Sequence, residues 1–536
     1  MLVTAPWADL TRSPENPDRL RMMTNRMSTW LGRTLYQVNG PWQPFHLRHA
    51  AIQWLVAGLV GVLLGLSVLM LPTFPPQWAV LIILALLAPF AMLIAGNVQR
   101  LLLAVIAIEI PIQLDKYFFF QEPLANLGSI GGLNISVTTV CLVVLYALWL
   151  ARLLAKLVKP QPNLLRNSLP LLAYLGAAAL SLFAAQDLPL ASFEIFLLLQ
   201  AFLLYVYVIH AVRTRDDVKF LVGMLLIGLM LEGLIMIGAR VVGHGLYIAN
   251  ITVRIDPDGR VGGTIGSPNG AAAYLLILLT PALSLLLTGL SKRYKGLALL
   301  AFSLGVGALV TTLSRGGWTG FAVSLALFYL VLLVRGRLSP SIALITLVAV
   351  LSIGLFFQGA ISDRLFGNDN GSAYARVPLM HIAFSMIEDH PWLGVGANNF
   401  ALSMQPYLTP TFDNQWIYTV HNKYLLVWSE TGPLALLAFL SFLLITLWRG
   451  WQCWRHQDNF LSPLALAFAT AIVGVMIHMN VDIFRGRPLM QSLCLVAGLL
   501  TAMHNIVARE KHTIHPLALD QPILVINERS GVVTRL

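Results

Sequence analysis

The chain has 536 residues, of which 57% are hydrophobic and only 11% are charged, whereas a soluble globular domain carries about 25% charged residues. This deficit, with a mean hydropathy of +0.75, excludes an ordinary soluble protein. The net charge of +11 does not indicate nucleic-acid binding, because the basic residues lie in short clusters between apolar runs, as in polytopic membrane proteins.

Residues 1–50 are a polar and basic leader that we expect to lie in the cytoplasm. From Arg19 to Val38, hydrophobic residues interleave with arginines. This pattern fits either an amphipathic segment on the membrane surface or a solvated leader.

Apolar runs long enough to cross a bilayer, about 20 residues each, follow the leader. They predict an all-α polytopic membrane protein with 12–14 transmembrane helices and a small, mostly helical periplasmic cap between two late helices. The third run is short, carries Glu109, and is compatible with a broken or re-entrant helix. The spans are expected near residues 51–71, 78–95, 101–114, 135–154, 168–185, 192–212, 218–237, 269–290, 297–313, 317–334, 340–357, 424–447, 463–483 and 488–507.

Lysine and arginine cluster on every second loop, which the positive-inside rule assigns to the cytoplasm together with both termini. The predicted organisation is transmembrane helices within 51–357, a periplasmic cap at 358–423, further transmembrane helices at 424–507 and a cytoplasmic tail at 508–536. Eight arginines fall on the opposite side, where the rule disfavours them, which suggests a functional demand: Arg240, Arg254, Arg260, Arg315, Arg364, Arg376, Arg485 and Arg487.

The sequence contains no Walker A motif and no Gly-rich nucleotide-binding loop after a strand, so ATP-driven chemistry within the chain is not expected. Cys141, Cys453 and Cys494 indicate neither a disulfide nor a metal site, and Cys453 is placed in a basic cytoplasmic loop. We therefore expect neither a metal nor a cofactor.

The predicted cap is much longer than an ordinary connection, and its aromatic and leucine content argues against disorder. Its sequence predicts an amphipathic helix from about Ala375 to Ile387, ended by His390-Pro391. Arg376 lies at the helix start, where its charge opposes the helix dipole. That cost suggests another partner for Arg376, although a structural role is the alternative.

Two further outer segments carry arginines that are candidates for anion binding. Arg260 begins RVGGTIGSPNGAAAYL, in which Asn269 is a candidate helix N-cap; helix N-termini favour anions. Arg315, within LSRGG, lies at the outer membrane edge and offers a planar fork suited to phosphate oxygens. The alternatives are a tight turn with a snorkelling Arg260 and an Arg315 that anchors a helix at the lipid headgroups.

His421 and Asn422 open the span that follows the cap, where a histidine is placed to act as a general base on a hydroxyl. Glu430 lies deeper in the same span, and an ionisable residue at that depth is a functional candidate. The alternative for His421 is an interfacial residue beside a helix cap. His390 is a rival base, but Pro391 after it favours a turn.

Taken together, RVGGTIGSPNGAAAYL, LSRGG, R-x13-HPWLGVGANNF and HN-x9-G resemble, in content and in order, the O-antigen ligase and O-antigen polymerase superfamily of integral membrane glycosyltransferases. The resemblance covers about residues 187–505. The sequence departs from the usual ligase pattern after Gly432, where Pro433-Leu434-Ala435 replaces an early second glycine.

The resemblance implies a metal-independent, inverting glycosyl transfer from undecaprenyl diphosphate to an acceptor hydroxyl at the periplasmic face of the bacterial inner membrane, in lipopolysaccharide or exopolysaccharide synthesis. It implies that Arg260, Arg315 and Arg376 bind the diphosphate and that His421 is the catalytic base, with Asn269, His390, Asn422 and Glu430 in support. The alternatives are an inorganic-carbon type transporter of the same superfamily, with Glu109 and Glu232 lining a path, and a membrane scaffold.

Overall fold

A computed structural model of the protein describes residues 97–158, 163–248, 251–337, 374–408, 417–456 and 458–519, with a few residues between 348 and 362 and two short strands near the C-terminal end. The chain divides into two compact units, Met1–Leu102 and Leu103–Leu536, and almost all described residues belong to the second. The described helices are α1 (Val98–Ile112), α2 (Glu122–Asn126), α3 (Val137–Leu154), α4 (Leu164–Leu180), α5 (Leu188–Ala211), α6 (Arg215–Val242), α7 (Pro268–Leu286), α8 (Lys292–Thr311), α9 (Arg315–Val334), α10 (Arg376–Asp389), α11 (Phe400–Ser403), α12 (Lys423–Trp454), α13 (Leu461–His478) and α14 (Arg487–Leu519).

Short antiparallel strands join some of these helices. The hairpin of β1 (Asp115–Phe118) and β2 (Leu133–Ser136) follows α1. A three-stranded sheet of β3 (Leu246–Ile248), β4 (Ile251–Ile255) and β5 (Val261–Gly263) connects α6 to α7. Strands β6 (Leu524–Ile526) and β7 (Val533–Arg535) pair near the C-terminal end.

Ten helical segments in the described part of the chain are apolar and at least 18 residues long, enough to cross a bilayer at about 1.5 Å per residue when tilt and flanks are included. They coincide with ten of the predicted spans and confirm an all-α polytopic membrane protein. The leader at 1–50 and the spans predicted near 51–71, 78–95 and 340–357 lie outside the described residues. The short span predicted near 101–114 is α1, which has 15 residues and is about 22 Å long.

The bundle is layered around α7 and α14, whose apolar windows are each 89% buried, against 22% for α3. Small residues allow this packing, since the first turns of α7 contain the run Gly270-Ala271-Ala272-Ala273. Helices α9 and α13 meet at Gly320 and Gly474, where a Cβ on either glycine would overlap the other's carbonyl. Close approach at small residues is the usual way in which membrane helices associate.

The described part of the cap is built on α10, which agrees with the helix predicted for 375–387 to within two residues. Leu379, Ala383 and Met386 recur at helical spacing and are buried. The helix ends at His390, because Pro391 cannot continue it. Arg376 is the first residue of α10, as predicted.

Helix α12 is interrupted just beyond Glu430. Gly432 has φ 80° and ψ 176°, and Pro433 follows it. In a regular helix the N–H groups of residues 433 and 434 would donate to the carbonyls of Ser429 and Glu430, but proline has no N–H. The two carbonyls instead accept from Val395 and Gly396 of the cap, each at 2.9 Å. The cap thus completes the hydrogen bonding of a membrane helix.

Two local predictions were wrong. The N-cap of α7 is Ser267, whose side chain accepts from the N–H of Gly270, because Pro268 fixes the first helical position; Asn269 lies inside the helix. Cys453 is buried within α12, because the helix continues past the predicted end of the span.

Candidate functional site

A cavity of about 710 Å³ lies at one end of the bundle. It is lined by the β1–β2 hairpin, by β4 and the segment from Arg260 to the start of α7, and by Tyr418 and His421 before α12. Residues 482–489, which run from the loop after α13 into the start of α14, complete the lining. These segments all belong to loops that the charge pattern assigned to the outer side. The charged and titratable residues in its wall include Arg254, Arg260, His421, Asp482, Arg485 and Arg487.

Asn269, in the cavity wall, contacts three other residues: Arg260, Ser314 and His478. Its Oδ1 accepts from an Arg260 guanidinium nitrogen at 2.8 Å and from the Ser314 hydroxyl at 2.9 Å. Its backbone carbonyl lies 3.1 Å from Nε2 of His478. Arg260 donates in addition to the carbonyl of Thr312 at 3.2 Å. These two acceptors position the guanidinium beside the start of α7.

Arg315 is the first residue of α9, directly after the N-cap Ser314, and is half-buried. The next residue, Gly316, lies against His478, which contacts Asn269. Arg315 is therefore in the segment that holds Arg260, although it is not in the cavity wall. Arg376 is also outside the wall, yet its charge acts electrostatically on His421.

His421 is buried, lines the cavity and lies directly before α12. Its Nδ1 is 3.0 Å from the carbonyl oxygen of Thr419. Because a carbonyl only accepts, Nδ1 carries the proton of the neutral ring and Nε2 is the acceptor nitrogen. Burial lowers the pKa of His421 to about 4; the carboxylate of Asp482 opposes this shift, and the charge of Arg376 adds to it. The ring is therefore neutral at physiological pH, as a general base requires.

Asn422 and His390, two of the predicted supporting residues, make contacts that stabilise local structure. Asn422 caps α12 by accepting from the N–H groups of Tyr424 and Leu425 at 3.0 and 3.1 Å. His390 is exposed and forms the turn after α10, with its N–H donating to Met386 at 2.9 Å. It does not line the cavity.

Glu430 is buried in an ionic cluster between the cap and the bundle. It pairs with Arg485, which also pairs with Glu194 at 3.0 Å. The other Glu430 oxygen accepts from the N–H of Phe400 at 3.0 Å. Breaking such a buried pair by removing one partner typically costs about 3–5 kcal/mol. Its contacts therefore give Glu430 a structural role, holding the cap, α5 and the 482–489 segment together.

Arg487, which the sequence marked only as an outer arginine, is fully buried and pairs with two carboxylates. It lies 2.9 Å from Glu109 and 2.8 Å from Asp115. Glu109 also accepts from the N–H groups of Leu114 and Thr138, so α1, the hairpin and α14 meet at one point. The positive-inside anomaly was the sequence signal for both Arg485 and Arg487, but it did not distinguish them from Arg260.

The carboxylates that a transport path would require are engaged in these contacts. Glu109 is paired with Arg487, and Glu232 accepts from both the N–H and the hydroxyl of Thr264 at the start of the turn into α7. Across the ranges that the structure describes, no group of three or more His, Cys, Asp or Glu side chains is suited to hold a metal ion.

A comparison with curated proteins gives no match. A family model described as O-antigen ligase matches residues 298–440, which include Arg315, Arg376, His421 and the Gly432 break. The match lies within the range over which the motifs resemble this superfamily. The described part of the chain thus has the helices of a multi-pass membrane protein, and residues 298–440 are similar to the O-antigen ligase family.

Proposed function

We propose that the protein is a glycosyltransferase of the O-antigen ligase or polymerase type, which acts in surface polysaccharide synthesis at the periplasmic face of the bacterial inner membrane. It moves a glycan from undecaprenyl diphosphate to an acceptor hydroxyl, with both termini in the cytoplasm. The observation that supports this most directly is that a neutral, buried His421 and a positioned Arg260 share one cavity at the end of a membrane bundle.

In this proposal the acceptor oxygen attacks the anomeric carbon of the donor sugar while its proton passes to Nε2 of His421. The bond from that carbon to the diphosphate oxygen breaks, and undecaprenyl diphosphate leaves with the electron pair. One displacement from the opposite face inverts the anomeric centre. The diphosphate is itself a good leaving group, so the step requires no nucleotide and no metal.

The proposed arginine clamp consists of Arg260, Arg315 and Arg376, which stabilise the charge that develops on the diphosphate. An anion beside the imidazole favours the protonated ring. Donor binding therefore raises the proton affinity of His421, which burial and Arg376 keep low in the empty cavity. The base becomes stronger when the leaving group is in place.

The test is His421→Ala in purified protein, assayed with a lipid-diphosphate glycan and its acceptor. We expect transfer to fall by about 10²–10⁴, the usual contribution of a positioned base, while donor binding is retained by the arginines. In cells the lipid-linked donor should accumulate.

His390→Ala is the matched control, because this histidine is exposed in the turn after α10 and should leave transfer unchanged. Transfer at the native rate by His421→Ala would place the base elsewhere. Passage of a small anion across sealed vesicles, with no donor consumed under any condition, would instead favour a transporter.

A further inference from the structure

Four consecutive aromatic residues, Tyr117, Phe118, Phe119 and Phe120, lie at one edge of the cavity, and we call them the aromatic strip. Their exposed fractions are 41%, 42%, 79% and 54%. Tyr117 and Phe120 also contribute to the cavity wall. The strip therefore runs from the wall of the candidate site to the outside of the protein.

The backbone of Phe119 makes its exposure more informative. Its φ of 55° lies in the left-handed region, which is sterically unfavourable for a bulky residue and is occupied more readily by glycine or asparagine. A solvent-exposed turn in this conformation gains no folding stability from a phenylalanine. Strained, exposed positions that carry a large apolar side chain are candidates for function.

The strip is held firmly in place. Strand β1 pairs with β2 through Phe118 opposite Leu133, and the N–H of Gln121 donates to the carbonyl of Gly131 at 2.6 Å. Gly131 lies close behind the strip, since a Cβ there would be 3.0 Å from the ring of Phe120.

The hairpin that carries the strip is anchored to the bundle by an ion pair. Asp115, the first residue of β1, is 2.8 Å from Arg487 of α14. Asp115 also accepts from the side chain of Asn134 on β2, at 2.8 Å. The hairpin is therefore attached to the bundle at a position where it lines the cavity.

We propose that the aromatic strip binds the first isoprene units of the lipid donor and guides its chain from the cavity into the bilayer. This inference rests on the proposed function, because a lipid diphosphate needs a charged site and an apolar exit that adjoin each other. Arg260, Tyr117 and Phe120 all line the same cavity, so both requirements meet within one space. Aromatic rings at the membrane interface suit such a chain, since they offer an apolar surface beside a polar site.

The first test compares two donors with the same glycan and diphosphate, one carrying an undecaprenyl chain and the other a short, soluble prenyl chain. In the double variant Phe118→Ser with Phe119→Ser, we expect kcat/KM for the long-chain donor to fall about tenfold, as for the loss of a few methylene contacts. The value for the short-chain donor should stay within about twofold of native. Phe183→Ser is the matched control, because this side chain is 86% exposed and lies outside the cavity wall.

An equal fall for both donors would show that the strip only maintains the fold, and no fall for either would show that it only belongs to the interfacial aromatic belt. Either outcome would overturn the proposal.

The second test does not depend on transfer. Phe119→benzoylphenylalanine, irradiated with undecaprenyl diphosphate, should give a covalent adduct in mass analysis, and the same substitution at Phe183 should not. Absence of the adduct at position 119 would also overturn the proposal. An adduct without transfer under any condition would support the strip and refute the proposed function, so the two failures are distinguishable.

Discussion

At the scale of single residues, the amide of Asn269 is central to the candidate site. The sequence indicated a helix cap, but the side chain instead receives hydrogen bonds from Arg260 and Ser314. The spacing of Ser267, Pro268 and Asn269 fits a cap at either polar residue, and only the long-range contacts decide between them. Ser314, which precedes Arg315, and the guanidinium of Arg260 thus both donate to one amide oxygen.

Asn269→Asp tests whether Arg260 binds the donor. The carboxylate still accepts both hydrogen bonds, but its charge compensates the guanidinium and repels a diphosphate. We expect the KM for the donor to rise about tenfold, which corresponds to about 1.4 kcal/mol, with little change in melting temperature. Asn480→Asp adds the same charge at an exposed position after α13 and is the control. An unchanged KM in Asn269→Asp would remove Arg260 from the donor site.

The pH dependence of transfer should report on the pair of Arg376 and His421. The pKa of His421 is lowered to about 4, chiefly by burial; the carboxylate of Asp482 opposes this shift and the charge of Arg376 contributes to it. The neutral ring is the active base, so native activity should be lost only as the pH falls towards 4. Removing the positive charge in Arg376→Gln makes protonation easier and raises the pKa. The acid limb of the pH profile of kcat/KM should therefore move to higher pH, whatever the effect on the maximum rate.

The control for this profile is Arg335→Gln, which removes an exposed charge just after the other end of α9 and should not move the acid limb. A limb that stays in place in Arg376→Gln would mean that Arg376 does not act on the titrating group, or that this group is not His421.

At the scale of elements, the Gly432 break decides how the cap is attached. A side chain here has two costs. A non-glycine residue at φ 80° and ψ 176° costs on the order of 1–3 kcal/mol, and a Cβ would overlap the carbonyl of Trp392.

Gly432→Ala should accordingly lower the melting temperature in detergent and weaken transfer. Gly238→Ala is the matched control, because this glycine lies within α6 with open space around it. Alanine there should be neutral or stabilising by about 0.5–1 kcal/mol. Equal melting temperatures for both variants would show that the break does not constrain the cap.

Hydropathy predicted the ten long apolar helices of the described part of the chain, because a span needs little more than length and an apolar composition. The bounds of α10 were also predictable, since Pro391 and the spacing of Leu379, Ala383 and Met386 are local signals. The break in α12 was marked by Gly432-Pro433, but its consequence was not predictable. It depends on Val395 and Gly396 lying beside carbonyls more than thirty residues away.

At the scale of the whole molecule, the orientation in the membrane can be tested directly. The positive-inside pattern predicts that the cap faces the periplasm and the α7–α8 loop faces the cytoplasm. In a variant in which Cys141, Cys453 and Cys494 are replaced by alanine, a membrane-impermeant thiol reagent should label Trp392→Cys in intact cells once it has passed the outer membrane. Lys292→Cys should be labelled only after lysis. Both positions are exposed, so labelling reports the side and not burial. The reverse pattern would refute the proposed periplasmic chemistry.

The charge pattern of the sequence predicts which arginines lie on the outer side, but not which residues they contact. Four of the arginines predicted on the outer side line one cavity. The ion pairs of two of them join residues that are distant in sequence. Arg485 lies against Glu194 and Glu430, and Arg487 lies against Glu109 and Asp115. No local sequence pattern contains these pairings.

The hydrogen bonds from Val395 and Gly396 into α12 have a consequence for how substrates enter. Lifting the cap here would leave the carbonyls of Ser429 and Glu430, two buried residues, without a hydrogen-bond donor. We therefore expect the described part of the cap to stay attached to α12 during the reaction and not to open as a lid. Donor and acceptor would then enter and leave beside the cap while the hydrogen bonds from Val395 and Gly396 to α12 stay intact. The amide hydrogens of these two residues should therefore be among the slowest in the cap to exchange with deuterium.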